Sequence, residues 1–306
     1  MPLQNTQEQQ PELKITLLGT GNPRPTSERS GPAILVEANT QPPTRLLIDA
    51  GRGAAERLFE VGGREALSNI NCVLLTHLHS DHVVGLPDLW LTGWIFGRAA
   101  PLMLRGPGGT SEMMRHLEEA YSFDVHMRRD VDEHLPAEGI AVDTMDLQPD
   151  TPLNINGVRI TPFLVDHGPV QPAFGWKIEF HGRSAVFSGD TRKCDNVAKY
   201  ASGCDVLVHE VIVPEVERRL SLMRDPAATQ RVIDHHTTPE EAGDVFALAK
   251  PRLAVFSHIV PSPATSRDVE IAVRRRYKGP VVVGVDKLVI EIGDQVKVRH
   301  AGHRHH

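Results

Sequence analysis

Short apolar runs punctuated by turn residues dominate this chain, and their spacing switches between strand and helix. Leu13 to Leu18 alternates weakly and runs into Gly19-Thr20-Gly21-Asn22-Pro23, the pattern of a strand entering a turn-rich loop. A second buried strand is predicted over Arg45 to Gly51, and helical spacing follows from Ala54 to Val61. Ile70 to Leu75 reads as an apolar strand, followed by helical spacing from Val83 to Phe96. A strand at Leu102 to Leu104, the turn Gly106-Pro107-Gly108-Gly109 and a helix through Tyr121 come next. Beyond Gly139 strands prevail, over Val158 to Val165, Phe174 to Phe180 and Ala185 to Ser188. Alternation then returns with a strand at Val206 to Glu210, a helix from Pro239 to Lys250, and a strand from Leu253 to Ser257 that delivers His258.

These elements form two mixed halves with no linker of Gly, Ser or Pro between them. The chemistry-bearing residues fall in both halves, which predicts one domain over 13–299, a tail over 1–12 and a His-rich tail over 300–306. The 306 residues are 40% hydrophobic and 24% charged, ordinary for a globular protein, so disordered and fibrous classes drop out. A net charge of -6 gives no general attraction to nucleic acid, and a polyanion would need a local device to be held. Cys72, Cys194 and Cys204 show no C-x-x-C spacing, so neither a zinc ribbon nor a disulfide framework is expected. The polar opening lacks the apolar stretch of a secretory signal, and no segment is long enough to span a bilayer, so a cytoplasmic location is the expectation.

The run Thr76-His77-Leu78-His79-Ser80-Asp81-His82 changes the picture, because it places four metal-ligand side chains in six positions as HxHxDH. His77 and His79, two apart on extended backbone, present their rings to one side and grip one ion, while Asp81 and His82 enter the next helix turned toward a second. The loop supplies two half-filled sites. Three later residues, each at the end of a predicted strand, can complete them: His167, Asp190 and His258.

The order HxHxDH, then His, then Gly189-Asp190-Thr191, then a late strand-end His is similar to the metallo-β-lactamase superfamily along nearly the whole chain. That resemblance implies a mixed α/β fold, a four-layer αββα sandwich. It also implies His77, His79 and His167 on one metal, Asp81, His82 and His258 on the other, and Asp190 between them. Asp49, in Leu47-Ile48-Asp49-Ala50-Gly51, matches the family's first motif, whose carboxylate orients the ligand loop from behind. The cofactor implied is a pair of divalent ions, zinc by default, with manganese or iron(II) suited to the same ligands.

Leu17-Leu18-Gly19-Thr20-Gly21, Gly106-Pro107-Gly108-Gly109-Thr110, Ser188-Gly189-Asp190-Thr191-Arg192, His209-Glu210-Val211 and His236-Thr237-Thr238 resemble the ribonuclease Z branch, which includes an arylsulfatase group. In that branch Glu210 and His236 would form a relay, with His236 giving a proton to the leaving group and Glu210 fixing its tautomer, and Asp81 would join them in the catalytic set. His235 is expected to point the other way. Bacterial ribonuclease Z inserts a long tRNA-gripping arm between the residues corresponding to His167 and Asp190, but only 23 positions separate them here. Two strands fill that gap, so no arm is expected.

The stretch Gly85 to Trp94 looks more like the arylsulfatase-like group, and Trp90 and Trp94, with Arg29 from the first loop, are the candidate substrate contacts. The function expected is hydrolysis of a small anionic ester, a phosphodiester or aryl sulfate, by a hydroxide bridging two metals. The alternatives are a tRNA 3′-processing endoribonuclease that borrows its RNA grip from a partner or dimer surface, and a lactone or carboxyl-ester hydrolase. The family resemblance further implies a homodimer.

Overall fold

The computed structural model describes residues 10–221, 225–261 and 266–300; of the tails predicted over 1–12 and 300–306, residues 1–9 and 301–306 lie outside these, while Glu12 is hydrogen-bonded to Ile292 and Asn39 beside the first sheet. Strands β1 (Leu13–Gly19), β2 (Ala33–Ala38), β3 (Thr44–Ile48), β4 (Cys72–Leu74), β5 (Leu102–Gly106) and β6 (Val142–Asp146) belong to a first sheet. β7 (Leu153–Ile155), β8 (Val158–Leu164), β9 (Phe174–Phe180), β10 (Arg183–Phe187), β11 (Val206–Ile212), β12 (Leu253–Val260) and β13 (Val281–Val283) form a second. β14 (Leu288–Ile292) and β15 (Val296–His300) then return to the first sheet. The strand orders are β15-β14-β1-β2-β3-β4-β5-β6 and β13-β12-β11-β10-β9-β8-β7. From β3 to β6 and from β10 to β13 the pairing is parallel, and the remaining pairs are antiparallel.

Helices cover the outer faces: α1 (Ala54–Ser68), α2 (Ser80–Val83), α3 (Leu86–Ile95), α4 (Thr110–Ala120), α5 (Ser122–His126) and α6 (Ala137–Ile140) on the first half. On the second half lie α7 (Asp195–Tyr200), α8 (Pro214–Leu220), α9 (Pro226–Asp234), α10 (Pro239–Ala249) and α11 (Ser266–Val273). The strand residues show why four layers result. In β3 and β4, Leu46, Ile48, Cys72 and Leu74 join the core between the sheets, while the intervening Leu47 and Val73 join the core beneath α1 and α3. Both faces of these central strands are buried, so their sequences read as continuous apolar runs. Val206 and Val208 of β11 likewise face the inter-sheet core, and Leu207 and Val211 face α7 and α10. The architecture is the expected αββα sandwich. No helix among the described residues is long and apolar enough to cross a membrane.

Trp90 and Trp94 do not wall a pocket, which corrects the expectation drawn from them. Leu86, Leu89, Trp90, Gly93 and Trp94 are the buried stripe of α3, at the i, i+3, i+4, i+7, i+8 spacing of a helix pressed on a sheet. Each tryptophan is 1% exposed. Their indole N–H groups donate to the carbonyls of Ile140 and Pro136, both at 2.8 Å, so their polar edges are used in anchoring α6. Two further differences concern segments. The helical spacing from Val83 is broken at Gly85, which separates α2 from α3. His300, assigned to the tail, pairs with Leu288 at the end of β15.

The first turn of α4 begins at Gly109 without a side-chain cap of its own. Asp146, at the end of the neighbouring β6, supplies it: Oδ2 accepts from the Gly109 amide at 2.9 Å, and Oδ1 from the Ser111 amide and hydroxyl at 2.8 Å. Partial burial works against the charge, but the Ser111 and Gly109 amides outweigh it and hold the carboxyl below its ordinary range. Asp146→Ala should therefore lower stability by about 1 kcal/mol, read as a smaller urea midpoint at unchanged slope. Because the folded carboxyl titrates lower than the unfolded one, the difference from wild type should be full above the unfolded value and shrink as the pH falls through the folded one. An equal difference at neutral and strongly acidic pH would refute the capping role.

Candidate metal centre

The HxHxDH loop leaves the C-terminal end of β4, and it is tied from behind by Asp49, which follows β3. Asp49 Oδ1 accepts from the Thr76 amide at 2.8 Å, and Oδ2 accepts from the Thr76 hydroxyl at 2.8 Å and lies 2.8 Å from His82 Nδ1. One buried carboxylate thus holds the residue before the loop and the last ligand in it. Its backbone is left-handed, with φ of 57°. The Ala50 amide donates to the His82 carbonyl at 2.8 Å and the Gly85 amide to the Ala50 carbonyl at 2.9 Å, clamping α2 onto the end of β3. That contact requires a glycine at 51, since a Cβ there would sit 2.5 Å from the Asp81 carbonyl oxygen.

The other ligands come from the second sheet. His167 follows β8, and its Nδ1 is 3.0 Å from the His235 carbonyl, which accepts its proton and leaves Nε2 for the centre. Asp190 follows β10 across Gly189, whose φ of 59° and whose packing against the Phe174 carbonyl, 2.6 Å from where a Cβ would lie, exclude a side chain. His258 was expected just past a strand end. It lies inside β12, at a bulge: His209 pairs with Phe256 and Val211 with Ile259, so Ser257 and His258 together oppose Glu210. The bulge, with φ of 46° at His258, turns the imidazole into the site, where Nδ1 is 2.7 Å from the Gly21 carbonyl.

These groups converge. Asp190 Oδ2 lies 2.9 Å from His258 Nε2, 3.3 Å from His82 Nε2, and 3.9 Å from both His77 Nε2 and His167 Nε2. Ligand atoms of His77, His79, His167 and Asp190 lie within 4.8 Å of one another, as do those of Asp81, His82 and His258. Two adjoining donor sets of nitrogen and carboxylate oxygen result, the chemistry that zinc and similar divalent ions accept. The fit has a further sign: His77 Nε2 and Asp190 Oδ1 are buried without a hydrogen-bond partner. Orphaned polar atoms are costly in a folded core, and a cation between them would satisfy both.

Glu210 and His236 meet beside this cluster. His236 Nδ1 lies 3.1 Å from Glu210 Oε1 as an ion pair, and that carboxylate oxygen accepts hydrogen bonds from the amides of Thr237 at 3.0 Å and Thr191 at 3.2 Å. Burial opposes a charge on His236, but the Glu210 carboxylate outweighs it and raises the imidazole above its usual value. His235 does not point away. Its ring packs at 4.8 Å from that of His167 and, like His236, it lines a cleft of about 350 Å³ that opens over His79, Asp81, Asp190 and His258.

Arg29 does not reach that cleft: its guanidinium turns inward to the Gly284 carbonyl at 2.8 Å and the Thr20 hydroxyl at 2.5 Å, near the Asp286 charge. Arg24 lies on the cleft instead, together with residues of α8 and α9 that no motif marked. The anchoring carbonyls of Gly21 and His235 carry no side-chain signal at all, and only the folded chain reveals them.

The family described as a beta-lactamase superfamily domain matches residues 44–259. A ribonuclease Z of Mycolicibacterium gilvum is 32% identical over 295 residues, covering 95% of this chain and all of that protein. Among solved structures, the metallo-beta-lactamase fold protein YhfI of Bacillus subtilis has a TM-score of 0.68 at 18% identity, over 90% of this chain and 98% of that one. The short form of human tRNase Z has a TM-score of 0.66 at 21% identity, over 92% and 99%. With its two-sheet sandwich, its ligand order and these matches, the chain belongs to the metallo-β-lactamase superfamily of metal-dependent hydrolases.

Proposed function

We propose that this protein is a dinuclear metal-dependent phosphodiesterase. The observation that carries the reading is that members of both donor sets, His79, Asp81, Asp190 and His258, and His236 of the Glu210–His236 pair line one cleft. Two divalent cations, zinc by default, would supply a nucleophile from water at neutral pH and polarise the ester oxygen. Their charge outweighs the carboxylates of Asp81 and Asp190, so the site draws in an anionic ester on a protein of net charge -6. His77, His79, His167 and Asp190 would hold one cation and Asp81, His82 and His258 the other. Asp49 keeps Thr76 and His82 in place from behind. Glu210 receives His236 Nδ1, which leaves Nε2 to meet the substrate and give a proton to the departing alkoxide. Sulfate esters present the same tetrahedral anion to the same groups.

A second reading, tRNA 3′ processing, is favoured by the full-length relative named ribonuclease Z. Against it stands the connection from His167 to Asp190, which holds the β9–β10 hairpin and no long arm. A kinetic panel of bis(p-nitrophenyl) phosphate, p-nitrophenyl sulfate, a lactone and precursor tRNA decides between the readings. Turnover of the phosphodiester is expected; cleavage of the tRNA alone would select the second.

Metal analysis of the purified protein should find about two divalent ions per chain, and chelation should abolish turnover until zinc or manganese is restored. Full activity in metal-free protein would end the dinuclear reading. His236→Ala should leave metal content unchanged and lower kcat by roughly 10²- to 10⁴-fold for an alkyl leaving group. For p-nitrophenolate, which departs without protonation, the loss should be much smaller. Equal losses for both leaving groups would remove His236 as the proton donor.

A further inference from the structure

The cleft has a wall that the metal chemistry does not use. It is built from Pro23 and Pro25 of the first loop, Leu220 and Val232 of α8 and α9, and Pro261 after β12, with the largely buried Val260 at its base. Three chain segments that are distant in sequence therefore present aliphatic and proline surface to the space above the metals. The wall is tied together. Arg24 donates to the Leu220 carbonyl at 2.8 Å, its own amide donates to Asn22 Oδ1 at 2.9 Å, and Asn22 Nδ2 donates to the Ile259 carbonyl at 2.8 Å. Beneath it, Ile212, Ile233 and Val260 form a small buried cluster against which Val232 packs. An apolar surface braced in this way is preformed.

Its composition argues against a nucleic-acid track. A single strand needs cations along its backbone and aromatic faces for its bases. Among the described lining residues there is no Phe, Tyr or Trp. Among the described lining residues Arg24 is the one Lys or Arg and is engaged with a backbone carbonyl, while Glu217 adds a carboxylate. We infer that this wall binds the uncharged arm of the substrate, so that the preferred ester is a phosphodiester carrying a compact apolar alkyl or aryl group. The inference rests on the phosphodiesterase reading and narrows it. The anionic centre lies over the metals beside His236, and the apolar arm lies on Leu220 and Val232.

The test is a series of p-nitrophenyl phosphodiesters whose second arm is methyl, butyl or phenyl, with the leaving group held constant. On the metal-loaded wild-type protein, kcat/KM should rise at least about ten-fold from methyl to phenyl, carried by KM with kcat nearly level. Leu220→Ser and Val232→Ser should flatten that rise, lowering kcat/KM for the phenyl ester more than for the methyl ester, while metal content stays unchanged. The wild-type series stands even if a variant folds poorly, and inhibition by phenylphosphonate compared with methylphosphonate gives the same comparison without turnover. Activity independent of the arm, a slope unchanged in both variants, or precursor tRNA as the far better substrate would each overturn the inference and leave the metal-dependent hydrolase standing. Inactivity on every ester would instead condemn the phosphodiesterase reading itself.

Discussion

Asp190 is a carboxylate removed from water and set within 3.9 Å of four imidazoles, and the rest of the site is arranged around that fact. Burying a charge is tolerable only with close counter-charge and hydrogen bonds. Four imidazoles that were all protonated would repel one another, and four neutral ones would leave Asp190 without compensation. Divalent cations would resolve this conflict, because they accept neutral imidazole nitrogens and carboxylate oxygens together. The partnerless His77 Nε2 and Asp190 Oδ1 show where that resolution is needed.

Both sheets contribute to the arrangement, and their geometry explains why it sits at one end of the sandwich. The parallel strands β3, β4, β10 and β11 all run toward that end, so the residues just past or within their last turns are brought to one rim. Two non-glycine residues with left-handed backbone lie there, Asp49 and His258. Each is held by specific partners, Asp49 by Thr76 and His82, His258 by the Gly21 carbonyl. That conformation aims a side chain that ordinary extended backbone would direct elsewhere.

Ligand identity was legible because metal chemistry restricts residue types and spacing; a four-ligand loop such as His77 to His82 has few structural explanations. The parallel central strands β3, β4 and β5 were legible because burial on both faces demands unbroken apolar runs, as in Leu46 to Ile48, whereas the interior antiparallel strands β2 and β14 were not foreseen. Edge strands such as β6 and β15, with exposed polar positions, carry no such demand and were not foreseen. The tryptophans misled for a related reason. Aromatic residues at helical spacing after a metal loop suit a pocket or a core equally well, and only the position of α3 against the first sheet separates the two.

By itself, then, the order of residues marked the seven ligand candidates through ligand chemistry and spacing, while the layered fold and the pairing of Glu210 with His236 followed from its resemblance to a known family. The tertiary structure decided which backbone carbonyls orient the imidazoles, that a bulge rather than a strand end presents His258, and that Leu220 and Val232, not Trp90 and Trp94, face the cleft. Those outcomes depend on which surfaces meet when distant segments pack, and apolar side chains look alike in sequence whether they meet a neighbouring sheet or open space above a metal site.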